Sequence, residues 1–158
     1  MSAVKIFTPP VKLAKLLRTP GGMRVSEAVE RAGQGLEGLK RECLAELQGV
    51  LETAEACAAK AWPDYDAALA GELYAIVAKP IGVPSVCGLK SVDTALISLS
   101  DLLDYLKGQQ RWDANAVAVH LRAFRLLLHT EGAADAAGAQ AILAGLQKVS
   151  QRYAKPAG

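Results

Sequence analysis

Aromatic residues are scarce in this 158-residue sequence: Phe, Trp and Tyr make up 5%, although hydrophobic residues make up 51%. Strands favour aromatic and β-branched side chains, so an interior built mainly from Leu, Val and Ala points to closely approaching helices. Charge of one sign is also lacking. Eighteen Lys and Arg stand against 16 Asp and Glu, and a net charge of +2 is too small to argue for nucleic acid or an acidic substrate. No apolar run reaches the roughly 20 residues that cross a bilayer. The amino end shows no secretory h-region, because Lys and Pro interrupt it. Cysteine is limited to Cys43, Cys57 and Cys87, without a C-x-x-C pair. Cys43 and Cys57 fall on one predicted helix, about 21 Å apart, so they do not bridge within it. Three free thiols in a reducing cytosol is the expectation. Missing too are metal-ligand spacings, a strand leading into a Gly-rich phosphate loop, and a His-Asp arrangement beside Ser98 or Ser100. No cofactor and no enzymatic activity are expected.

The length suits one domain with a sizeable core. The clearest segment is Ser91 to Leu106, where Val92, Ala95, Leu96, Leu99, Leu102, Leu103 and Leu106 lay one stripe down a helix. Ser98, Ser100, Asp101, Asp104 and Lys107 take the other side. A helix this apolar belongs at the centre of a bundle. Before it, a long first helix reads from Ser26 to about Ala61, with Val29, Leu36, Cys43, Val50 and Cys57 recurring every seven residues. Gly33, Gly35, Gly38 and Gly49 interrupt it, marking either a frayed or kinked stretch or a close approach by a neighbour. Trp62-Pro63 separates it from a helix over about 63–78, which buries Leu69, Leu73, Ile76 and Val77. The apolar connection from Pro80 to Gly88 is expected to fold back over the bundle end. Asp113 caps a fourth helix to about Thr130, with Val117, His120, Leu121, Phe124, Leu127 and Leu128 inward. The last helix, about 134–153, presents Ala141, Ile142, Leu146 and Val149. Its Ala134, Gly138, Ala141 and Gly145 suggest a strip for close contact. The fold class is all-α: an antiparallel bundle of four to five helices with one long N-terminal helix, over residues 25–158.

Residues 1–24 form a separate basic segment, broken by Pro and Gly. Lys5, Lys12, Lys15, Arg18 and Arg24 meet no acidic residue there. Val11 to Arg18 makes two amphipathic turns, and Lys12, Lys15, Leu16, Leu17 and Arg18 are the candidate partner-binding residues, for an acidic protein or an anionic surface. The alternative is a loose tail whose leucines dock on the bundle.

His120 is the one candidate for chemistry. A histidine on a bundle helix is the arrangement of phosphotransfer proteins, with Arg122 and Arg125 available to hold phosphate oxygens. Against this, bulky Phe124 stands where a small residue would admit a partner, and the spacing turns His120 toward the apolar stripe. A satisfied core histidine is the competing assignment. Asp101 and Asp104 share a helix face, with no His or Cys beside them to suggest a metal.

Several stretches carry a family resemblance: Ile81-Gly82-Val83-Pro84, Ser98 to Asp104, Trp112-Asp113, Val117 to Leu121, and Pro20-Gly21-Gly22 leading to Leu36-Glu37. Together they resemble small helical proteins encoded beside chemotaxis and two-component genes in α-proteobacteria, including those labelled CheE. The resemblance implies a cytoplasmic accessory or scaffold protein of a signalling pathway, acting on a protein partner such as a receiver or kinase. It assigns no catalytic residue. A homodimer through the long first helix is expected as well, because the Val29 to Cys57 stripe exceeds what a compact bundle covers.

Overall fold

The computed structural model describes residues 22–60, 64–130 and 136–154. They form five long helices and one short turn of helix, with no strand among the described residues. In chain order these are α1 (Val25–Lys60), α2 (Ala67–Ala78), α3 (Val83–Val86), α4 (Lys90–Gly108), α5 (Ala114–Thr130) and α6 (Ala136–Ala154). The chain divides into two units, Met1–Gly35 and Leu36–Gly158. In the first, the described residues are the opening turns of α1, where Arg31 pairs with Glu27 at 3.1 Å across one turn. The second unit holds the bundle.

The central position falls to α4. It packs against α2, α3, α5 and α6, and Val92, Ala95, Leu96, Leu99, Leu102, Leu103 and Leu106 are all buried. Each of these is a position of the sequence stripe. Wrapping on several sides also draws in residues assigned to the polar face: Ser100 is buried and Ser98 half-buried, while Asp101 and Asp104 stay exposed. The helix starts after Leu89 without a side-chain cap, so Ser91 lies inside it. Asp93 instead turns back to hold the connection, accepting the Gly82 N–H at 2.7 Å and the Ser85 hydroxyl at 2.5 Å. Gly82 has φ +91°, a conformation that a side chain resists, and this reverses the chain into α3. Pro80, Pro84 and Leu89 are buried, so the apolar connection does fold back on the bundle.

α5 follows a short connection and buries Val117, His120, Leu121, Phe124, Leu127 and Leu128, the six residues expected. Its N-cap is Asp113, whose Oδ1 accepts the Ala116 N–H at 2.9 Å. The other oxygen of that carboxylate accepts the Tyr153 hydroxyl at 2.5 Å, tying the end of α6 to the start of α5. Tyr153 also meets the edge of Tyr105 on α4, with ring centroids 5.7 Å apart. α2 begins at Ala67, later than the sequence suggested, because Asp66 caps it through the N–H groups of Ala68 and Leu69. Trp62 and Pro63 lie outside the described residues.

The heptad stripe of α1 runs beyond what the bundle covers: it is buried from Cys43 onward, with Leu47, Leu51, Ala54 and Cys57. Val29 and Leu36 are 66% and 62% exposed, and Leu39 is 46% exposed. The α1 glycines bring no neighbour close: a Cβ built at Gly33, Gly35, Gly38 or Gly49 meets nothing within 4 Å among the described residues, and the helix runs on through them. The small-residue strip of α6 behaves similarly. Gly138 and Gly145 face open space and Ala141 is exposed; Ala134 lies outside the described residues. α6 docks instead through Leu146, with Ile142, Leu143, Val149 and Tyr153 half-buried against the core.

Candidate functional site

His120 is fully buried, and both ring nitrogens are engaged. Nδ1 lies 2.9 Å from the Ala116 carbonyl one turn back, which accepts its hydrogen and leaves Nε2 as the acceptor. Facing Nε2 are the hydroxyls of Ser98 on α4, at 3.1 Å, and Ser150 on α6, at 3.3 Å. The two hydroxyls are themselves 3.2 Å apart. One imidazole thus joins three helices. Burial pushes the His120 pKa down, and the Ala116 carbonyl opposes this only in part, so the ring is neutral at pH 7.

Phosphotransfer needs an approachable imidazole nitrogen, and Nε2 here is enclosed behind two hydroxyls. The arginines are not brought to it either. Positions two and five residues beyond His120 lie on the far side of a helix from it, by the 100° turn per residue. Arg125 forms a two-pronged ion pair with Glu55 of α1, its Nε donating to Oε1 at 3.1 Å. Arg122 is exposed and lines a shallow recess with Glu55, Trp112 and Val117. Trp112 packs half-buried against the core there, and its indole N–H has no acceptor among the described residues. Lys12, Lys15, Leu16, Leu17 and Arg18 lie outside the described residues.

Sequence reading missed the pairing of Ser98 with His120. Only the register of the α4–α5 hairpin supplies it, and no local motif encodes that register. A serine donating to a neutral imidazole resembles half of a hydrolytic site. Ser98 and Ser150 line a groove of about 430 Å³ beside Thr94, Asp101, Gln140 and Gln147. Ser98 sits in mid-helix, however, where backbone N–H groups are committed to the helix and not free to stabilise an oxyanion. The trio is better suited to fastening α6 than to chemistry. Among the described residues no three His, Cys, Asp or Glu side chains gather to hold a metal ion.

A second groove, of about 460 Å³, runs between α1, the end of α2 and α3. Its walls are apolar, with Cys43, Leu47, Val50, Ile76, Pro80 and Val83, and Glu46 and Lys79 contribute one charge of each sign. Around it the bundle leaves large apolar side chains in water: Leu39 and Leu36 lie one and two turns before Cys43 on α1, and Val83 and Val86 lie on α3. Scattered exposed leucines are ordinary on a protein surface; these side chains lie on α1 and α3, two of the elements that wall the groove. Comparison of the chain with protein-family models, with curated proteins and with solved structures gives no match to any of the three.

Proposed function

We propose that this chain is a non-catalytic accessory protein of a chemotaxis-type signalling pathway and acts by binding another protein. The observation that carries the reading is the apolar groove lined by Cys43, Leu47, Val50, Ile76, Pro80 and Val83, continued by exposed Leu36, Leu39 and Val86. Its occupant is an amphipathic helix with apolar residues at i, i+3, i+4 and i+7, the element that fills such grooves. The resemblance to small helical proteins of chemotaxis and two-component loci supplies the pathway, a cytoplasmic setting, and a receiver or kinase as the class of partner. Self-association uses the first helix. Leu36 continues the seven-residue register of Cys43, Val50 and Cys57, and in the Met1–Gly35 unit Val29 occupies the same register and is exposed. Enclosure of His120 gives the phosphotransfer alternative no support.

Binding of the full chain to purified receiver and kinase proteins of its own chemotaxis locus, followed by calorimetry, tests the reading. One of them is expected to bind, with at least tenfold loss in Leu39→Asp and Val83→Asp chains that keep their helical circular dichroism. Absence of binding to all of them, or binding indifferent to both substitutions, would refute it. Light scattering at tens of micromolar tests the homodimer, which a strict monomer excludes.

A further inference from the structure

Helical spacing builds the recess beside Trp112. On α5, Ala114, Val117, Ala118, Leu121 and Arg122 fall at i, i+3, i+4, i+7 and i+8, so they share one face. The α1 helix contributes Glu55, Ala58 and Ala59, and the Trp112 ring comes from the connection between α4 and α5. Four of these residues are alanines. Side chains that short leave a hollow of about 230 Å³, smaller than the pockets that hold drug-sized molecules. Its lining is mostly apolar, and two of the polar groups in it are unused. The indole N–H of Trp112 is buried without an acceptor among the described residues, whereas a buried indole N–H usually has one. Arg122 has no ion pair among the described residues, because both oxygens of Glu55 go to Arg125. What the recess still offers is two donors, one of them permanently charged, beside an apolar lining.

We infer that this recess binds a small carboxylate with an apolar body, of the size of an aromatic or branched-chain acid. The body lies against Val117, Leu121 and the Trp112 ring. The carboxylate takes the Arg122 guanidinium, whose forked N–H groups match its two oxygens. One of those oxygens also gives the indole N–H its acceptor. A neutral ligand would leave Arg122 without a counter-charge, and a cation would oppose it. Inorganic phosphate would meet the same donors but has no apolar surface to set against the lining. The recess shares no lining residue with the groove between α1, α2 and α3, so the inference stands or falls apart from the docking proposal.

The test titrates the full chain with sodium benzoate at pH 7.5 and follows the indole N–H signals by nitrogen-edited NMR. The sequence has two tryptophans, and Trp62→Phe assigns the Trp112 signal. Benzoate up to about 10 mM, a range suited to so small a ligand, is expected to shift that signal downfield saturably and to raise the thermal midpoint. Benzamide keeps the ring and loses the charge, and should bind at least tenfold more weakly. Arg122→Gln should weaken benzoate binding at least tenfold, and Arg122→Lys, which keeps the charge without the fork, by less. Arg122 is exposed, so these variants keep the fold, which circular dichroism checks. Phosphate at the same concentration should leave the signal in place. A Trp112 signal that benzoate does not move, equal binding of benzamide, or affinity indifferent to Arg122→Gln would each overturn the inference. Tighter binding of the tripeptide Ala-Ala-Phe than of benzoate would put the carboxylate on a peptide end, and would overturn it as well.

Discussion

The His120 arrangement predicts an acid sensitivity whose sign and size follow from the contacts. In the folded chain the imidazole is fully buried, between the Ala116 carbonyl and two hydroxyls, and its pKa is held below the usual 6.5. In the unfolded chain it titrates near 6.5. Below that pH the unfolded state binds the extra proton, so stability is complete above about pH 6.5 and is lost as pH falls. The loss at pH 5.5 relative to pH 7.5 is then at most about 1.4 kcal/mol, the limit for one histidine that stays neutral when folded. With a urea dependence of about 1–3 kcal/mol per molar, the unfolding midpoint should move down, by at most roughly 0.5–1.4 M. The control is His120→Gln, which cannot titrate; its unfolding is measured at the same two pH values, so that only the difference in pH dependence counts. Asp113 does not confound the window. The Tyr153 hydroxyl and the Ala116 N–H hold its pKa below the usual value, so its contribution is lost only at more acid pH. If wild type and variant lose equal stability between pH 7.5 and 5.5, the imidazole is not a buried neutral group and the reasoning fails.

At the alkaline end, burial holds the Cys43 thiol up at about 11, and burial with the Asp113 hydrogen bond holds Tyr153 at about 12. The unfolded chain therefore ionises first, and chemical denaturation between pH 8 and 11 should show stability falling as pH rises, less steeply in Tyr153→Phe. Gly38→Ala and Gly49→Ala each add a Cβ into open space within a helix, and each should stabilise by about 0.5–1 kcal/mol. Gly82→Ala, at φ +91°, should destabilise by about 1–2 kcal/mol in the same urea titration. Asp93→Ala strands the Gly82 N–H and the Ser85 hydroxyl and should cost about 2–3 kcal/mol. A double-mutant cycle with Ser85→Ala should recover part of that cost.

The parts of the fold legible in the sequence are those where one residue's neighbours lie on its own helix. The 3-4 spacing of Val92 to Leu106 and of Val117 to Leu128 names the inward residues of α4 and α5 without further information. On α1 the same spacing says less. A stripe shows which face is apolar and not what covers it; its length exceeds what a compact bundle needs, and Val29 and Leu36 stand in water. Small residues are ambiguous in the same way, since Gly138 and Gly145 suit close packing and open solvent alike. Of the candidate site, His120 was legible as inward-facing, but its partners were not. Ser98 and Ser150 come from two other helices. Contacts of that kind depend on tertiary register, and one sequence carries no local trace of it.

The polar contacts explain how α6 stays in place. Leu146 is its buried apolar anchor among the described residues, whereas α4 buries seven apolar side chains and α5 six. With so little apolar surface removed from water, the helix relies on Ser150 at His120 and on Tyr153 at Asp113, two points less than a full turn apart. Both points are protonation-sensitive, and the first weakens at the milder pH. Acid should therefore release α6 before it loosens the rest of the bundle, since local opening follows local stability. Hydrogen exchange, corrected for the intrinsic pH dependence of the amide rates, is expected to show α6 losing protection between pH 7.5 and 5.5 while the centre of α4 keeps it. In Ser150→Ala the α6 protection should already be low at pH 7.5. Uniform loss across α4 and α6 would mean that α6 is held as firmly as the core, with the two polar contacts carrying none of its attachment.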